Sequence, residues 1–213
     1  MKSFTKYHGL IATLDRANVD TDQIIPKQFL KSIRRTGYGE NLFFDWRILS
    51  DGKPNPSFEL NATRFKNARI LVTRNNFGCG SSREHAVWAI VQYGFAAVIA
   101  PKKGMTPAFA DIFRSNSAKN GLLTVELQEA EVEEIFQMVG RYEGLQATID
   151  LLEQRVVLHL PEEISFHFEI DPATKEKLVN GLDEIGLSLA HEKEISAFES
   201  SHDSQIIPSP RRR

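Results

Sequence analysis

Apolar positions along the chain fall into two rhythms, short unbroken runs and helical spacings, and the two alternate. Ala68-Arg-Ile-Leu-Val-Thr73 and Phe95-Ala-Ala-Val-Ile-Ala100 are short β-branched runs that predict strands buried on both faces. Between them Ala86, Ala89, Ile90 and Tyr93 recur at i, i+3, i+4 and i+7, one face of a helix that Gly94 is free to end in the left-handed conformation. The pattern repeats downstream. Phe109, Ile112 and Phe113 predict a helical stretch over Pro107 to Arg114, Asn120-Gly121 a turn and Leu122 to Leu127 a strand. Val132, Ile135, Phe136 and Val139 then predict a further amphipathic helix, closed by Gly140.

Upstream, Tyr7 to Leu14 predicts a first strand, which runs into the polar loop Asp15 to Asp22. Pro26 is placed to open a short helix through Phe29-Leu-Lys-Ser-Ile33, and Arg34 to Gly39 reads as an exposed turn. The aromatic-rich Leu42-Phe-Phe-Asp-Trp46 reads as core or partner surface, and Asp51 to Ser57 as a loop. Toward the C-terminus strict alternation takes over. Leu145, Ala147, Ile149 and Leu151, then Val156, Leu158 and Leu160, predict a hairpin around Glu153-Gln154 with one buried face, and Ile164 to Ile170 alternates again. His159 and His167 fall on the opposite, solvated phase. Asp171-Pro172 starts helical segments over Thr174 to Asn180, Leu182 to Ser188 and Glu192 to Phe198. These elements predict a layered α/β domain over residues 1–199, with 171–199 as a helical extension and 200–213, rich in Ser, Pro and charge, as a disordered tail.

Composition narrows the function classes. A net charge of -2 gives no electrostatic footprint for nucleic acid or an anionic membrane, and Arg211 to Arg213 is too short a basic run to change that. The longest apolar runs fall far short of the ~18 residues of a spanning helix, and the N-terminus lacks the hydrophobic stretch of a secretory signal, so the expectation is a cytoplasmic protein. With one cysteine the chain forms no internal disulfide and holds no four-cysteine iron-sulfur or zinc site. It is expected to bind no metal itself.

Chemistry concentrates in Asn75 to Trp88, between a strand and a helix, where free backbone N–H groups and the helix dipole favour anions. Gly78 and Gly80 permit positive φ and close backbone approach to a ligand. Ser81, Ser82 and Arg83 add two hydroxyls and a guanidinium able to grip a carboxylate. Ser81 to Glu84 also spells a capping box, so local physics leaves a structural role for Ser81 open. A dinucleotide or P-loop site is disfavoured, because the third glycine of the first and the Gly-Lys-Ser/Thr ending of the second are missing. Cys79 is a competing nucleophile, its pKa expected to fall beside the helix start and Arg83, but no base partner is evident in the sequence. Asp20 and Asp22 are placed to orient a base, pair with Arg83 or bind a cation, with a solvated turn as the bland reading.

Asn76-Phe-Gly-Cys-Gly-Ser-Ser-Arg-Glu-His-Ala86 closely resembles the signature of the swivelling domain of the aconitase superfamily, in the form found in small subunits of bacterial 3-isopropylmalate dehydratases. Val19 to Lys31, Thr36 to Gly39, Leu42 to Arg47, Phe109 to Phe113, Lys119 to Leu123 and Gly181 to Leu187 resemble the same family in the same order, covering the chain to about His191. The resemblance implies a swivelling β/β/α fold. It also implies the small subunit of a heteromeric hydro-lyase of leucine biosynthesis, interconverting 2- and 3-isopropylmalate through 2-isopropylmaleate.

By the same resemblance Ser81 is the base, Ser82 and Arg83 hold a substrate carboxylate, and Phe29, Leu30 and Lys31 form the substrate-selecting segment. Asp20, Thr21, Asp22, Gly78 and Gly80 support the site. A 4Fe-4S cluster, acting on the leaving hydroxyl, is expected in the partner large subunit. The alternatives are a sister hydro-lyase acting on homoaconitate or a methyl-substituted malate, and a non-catalytic binding module; intact Ser81, Ser82, Arg83 and both aspartates argue against the latter.

Overall fold

The buried runs become the centre of one seven-stranded sheet. The computed structural model describes residues 1–31, 35–182, 184–189 and 191–201. The strands are β1 (Lys6–Leu14), β2 (Ile70–Thr73), β3 (Ala97–Lys102), β4 (Leu123–Gln128), β5 (Gln146–Asp150), β6 (Arg155–Leu158) and β7 (Ile164–His167). Their order is β4-β3-β2-β1-β5-β6-β7. β1 to β4 are parallel, β1 pairing β2 from Ile11 opposite Ile70, whereas β5 runs antiparallel to the start of β1 with Tyr7 opposite Ile149. The sequence rhythm follows from this division. β2 and the apolar part of β3 are covered on both faces, while β5, β6 and β7 alternate buried and open positions. Pro101 lies beyond Ile99, the last β3 residue paired with β2, where the strand pairs on one side only, with β4 (Pro101 opposite Leu127).

The helices are α1 (Thr21–Ile24), α2 (Phe44–Arg47), α3 (Glu84–Tyr93), α4 (Asp111–Asn120), α5 (Glu129–Arg141), α6 (Pro172–Asn180), α7 (Glu184–Leu189) and α8 (Glu192–Ser201). α5 packs across β1 to β4 through Val132, Ile135 and Val139, while α3 and α4 pack on each other. The residues lining one cavity of about 370 Å³ come from β4 (Thr124, Glu126), α4 (Arg114) and the segment after β7 (Glu169 to Asp171), so the chain beyond β7 returns to the β4 side of the sheet. Leu42 and Phe43 are wholly buried, and Phe43, Trp46 and Phe58 pack ring on ring, which assigns the aromatic stretch to the core. No helix among the described residues is long and apolar enough to cross a membrane.

Several boundaries differ from the sequence pattern. α4 begins at Asp111 rather than near Pro107, because the backbone of 107–110 is taken up by pairing with Asn76 and Phe77. Ile112, expected on the buried face, is 53% exposed. Tyr93 ends the apolar face of α3 but is also open to solvent, its ring stacked on Phe95. Gly140 lies inside α5, which runs on to Arg141; the left-handed turn beyond it falls at Gly144, φ 77°. α8 continues through Ser200 and Ser201, two residues into the expected tail. The rest of that tail, 202–213, lies outside the described residues, as do Ser32 and Ile33 of the short helix and Arg34 of the exposed turn.

Candidate active site

Because β1, β2 and β3 are parallel, their carboxyl ends point the same way and the loops after them meet, the usual place for a ligand in an open parallel sheet. Two short backbone pairings tie these loops together. Asp20 bridges to Cys79, with Gly78 N–H donating to the Val19 carbonyl (2.8 Å) and Thr21 N–H to the Cys79 carbonyl (3.0 Å). Phe77 bridges to Phe109, its N–H reaching the Ala108 carbonyl at 2.9 Å. Gly78, at φ 75°, is required on two counts: the left-handed backbone, and the Phe113 ring, which occupies the space a Cβ would need.

The result is a cavity of about 250 Å³ lined by Thr21, Gly78, Gly80, Ser81, Ser82 and Arg83 on one side and by Ala110, Asp111, Ile112 and Phe113 on the other. Gly80, Ser81 and Ser82 are exposed. The Thr21 hydroxyl donates to the Ser81 carbonyl at 2.7 Å, fixing the backbone of the serine while leaving its own hydroxyl uncommitted. Arg83 donates to Asp22, and Lys27 Nζ lies 3.5 Å from the other oxygen of that carboxylate. Two cations share one carboxylate, so the trio keeps a net positive charge for an incoming anion.

The capping box expected at Ser81 to Glu84 does not form. α3 starts at Glu84, Arg83 occupies the cap position, and no side chain caps it. Pairing with 19–21 holds the preceding loop away from the helix end, and Glu84 accepts instead from Asn120 Nδ2 at 2.9 Å. The box is built at α1, where Asp20 accepts from Gln23 N–H at 2.7 Å and Gln23 Oε1 accepts from Asp20 N–H at 2.9 Å. Asp20 is therefore a cap, and Asp22 is the partner of Arg83.

The lowered pKa that the competing thiol reading needs at Cys79 is not found. Burial pushes the thiol above its ordinary value of 9.0 and the nearby Asp20 carboxylate adds to this, outweighing a backbone hydrogen bond that favours the thiolate. Phe29, Leu30 and Lys31 share the single turn Lys27–Lys31 and do not line the cavity. Phe29 packs edge-on against Phe44, ring centroids 4.9 Å apart, and Leu30 is half-buried. Only Lys27 links that turn to the Arg83–Asp22 pair. The wall from Ala110 to Phe113 is what sequence reasoning missed; only its family wording, Phe109-Ala-Asp-Ile-Phe113, stood out.

A layered α/β chain with a Gly-Cys-Gly-Ser-Ser-Arg loop at the carboxyl end of its parallel strands fits a known class: the profile of the aconitase C-terminal domain matches residues 1–130, and the chain belongs to that family. Within it, the chain is 57% identical over 204 residues to the 3-isopropylmalate dehydratase small subunit of Desulforapulum autotrophicum, covering 94% of this chain and 95% of that one. The fold is shared with the crystal structure of 3-isopropylmalate dehydratase from Methanocaldococcus jannaschii, with a TM-score of 0.62 at 24% identity, over 91% of this chain and 99% of that one.

Proposed function

We propose that this chain is the small subunit of a heteromeric hydro-lyase that isomerises 2-isopropylmalate to 3-isopropylmalate by dehydration and rehydration, as part of leucine biosynthesis in the cytoplasm. The observation that carries the mechanistic reading is the single cavity uniting Ser81, Ser82 and Arg83, with Arg83 braced by Asp22. Arg83 and Ser82 hold a substrate carboxylate by charge-assisted hydrogen bonds. Ser81, as an alkoxide, takes the proton from the carbon beside that carboxylate and becomes the neutral hydroxyl, and the positive trio of Arg83, Asp22 and Lys27 stabilises the negative charge involved. The hydroxyl on the neighbouring carbon would leave with Lewis-acid help from a cluster in the partner subunit. Phe29 to Lys31 serve as the selecting segment.

One cysteine and, among the described residues, no group of three or more His, Cys, Asp or Glu able to hold a metal ion make a donor set that does not fit a 4Fe-4S cluster. We assign the cluster to the large subunit.

Replacement of Ser81 tests the base directly. The Ser81 side chain makes no hydrogen bond among the described residues and is exposed, so Ser81→Ala is expected to change stability by less than about 0.5 kcal/mol. Its turnover in the complex with the large subunit is expected to fall by about 10²–10⁴-fold, the contribution of a positioned base. A folded Ser81→Ala subunit that binds its partner and keeps near-normal turnover removes Ser81 from the mechanism.

A further inference from the structure

The second wall of the site cavity is the first turn of α4 with the residue before it: Ala110, Asp111, Ile112 and Phe113. Phe113 is buried against Phe77, ring centroids 5.3 Å apart, but Ile112 stays 53% exposed. A single exposed isoleucine needs no explanation in general. Ile112, however, shares a cavity with a guanidinium and two hydroxyls, which pairs a branched apolar surface with an anion grip. At about 250 Å³ the space falls just below the usual range for ligand sites and suits a short substituted diacid better than a nucleotide.

We infer that Ile112 is a specificity-determining residue that packs against the branched aliphatic substituent of a substituted malate, and that Asp111 beside it turns away substrates carrying a carboxylate at that position. The inference rests on the isopropylmalate reading of the site. An isopropyl group set on Ile112 removes apolar surface of both partners from water. A carboxylate in the same place loses hydration against the isoleucine and faces a like charge on Asp111. The segment Phe29 to Lys31 lies outside the cavity lining, whereas this wall forms part of it.

The test uses the full chain reconstituted with its large subunit, with kcat/KM measured for 2-isopropylmalate, 2-methylmalate and the tricarboxylate homoaconitate. Ile112→Ala is expected to lower the value for 2-isopropylmalate at least about tenfold while 2-methylmalate changes less than about threefold, with Ile112→Val between wild type and Ala. Asp111→Asn is expected to raise homoaconitate relative to 2-isopropylmalate by about tenfold. Equal losses on both malates, or an unchanged ratio accompanied by weaker subunit association, overturn the inference and make Ile112 a general or partner contact. If the wild-type complex turns over none of the three compounds, the underlying functional reading fails instead, and the inference falls with it.

Discussion

At the scale of single residues, the site is organised by what Ser81 and Cys79 do not do. Neighbours in one loop, they meet opposite conditions: Ser81 is exposed with an uncommitted hydroxyl, whereas Cys79 is partly buried and its backbone is zipped to Asp20 and Thr21. Burial and the Asp20 carboxylate both penalise the Cys79 thiolate, so its titration lies above the ordinary 9.0 and little thiolate exists near neutral pH. Alkylation by iodoacetamide in the folded chain is therefore expected to rise with a midpoint above pH 9, later than in the urea-unfolded chain. A midpoint below that of the unfolded chain contradicts this electrostatic account and reopens thiol chemistry.

At the scale of elements, legibility tracked how local the determining contacts are. β2, β3 and α3 were readable because their apolar periods arise from their own positions in the layer, and Gly94 ends α3 as the pattern indicated, whereas α4 runs past the expected Arg114 to Asn120 before the turn at Gly121. Two of the missed boundaries involve contacts distant in sequence. The start of α4 is delayed by pairing of Phe77 with Phe109, and the box at Ser81 is pre-empted by pairing with Val19 to Thr21. Asp20-x-x-Gln23 carried an equally good cap signal, but its loop was weighed for ligands instead. The loop half of the site was thus legible in residue types, while the wall from Ala110 to Phe113 was set by a cross-loop pairing that no local pattern encodes.

The β5–β6 hairpin permits a prediction at this scale. Asp150 accepts from Glu153 N–H and Leu152 N–H and pairs with Lys6 at 3.0 Å, and its carboxyl is held below the ordinary 3.8, chiefly by the Glu153 bond. A depressed folded-state pKa gives stability that is present above 3.8 and is lost as pH falls through the lower folded value. Asp150→Asn is expected to lower the melting temperature at pH 7 and to narrow the gap from wild type as the pH drops below 3.8. An unchanged gap down to the acid transition contradicts the assignment.

At the scale of the whole molecule, the chain presents half of a site. Gly80, Ser81 and Ser82 stand open to solvent, and Met105, at the tip of the turn after β3, is 99% exposed on the same loop end of the sheet. A serine hydroxyl in water is far too weak an acid to act as an alkoxide near neutral pH; it needs fixed donors, a neighbouring cation and exclusion of water. The Arg83–Asp22–Lys27 trio supplies the cation, but nothing among the described residues covers Ser81. A second chain, which the family relationship supplies in kind, is the cover this reading calls for. The purified chain alone is expected to fold, to carry no iron and to show no hydro-lyase turnover, with activity appearing on titration with a cluster-loaded large subunit and saturating at a fixed ratio of the two. Robust turnover of 2-isopropylmalate by the chain alone, with metal analysis and mass spectrometry showing no contaminating partner, overturns the half-site reading, because an exposed Ser81 would then suffice without the enclosure its chemistry demands.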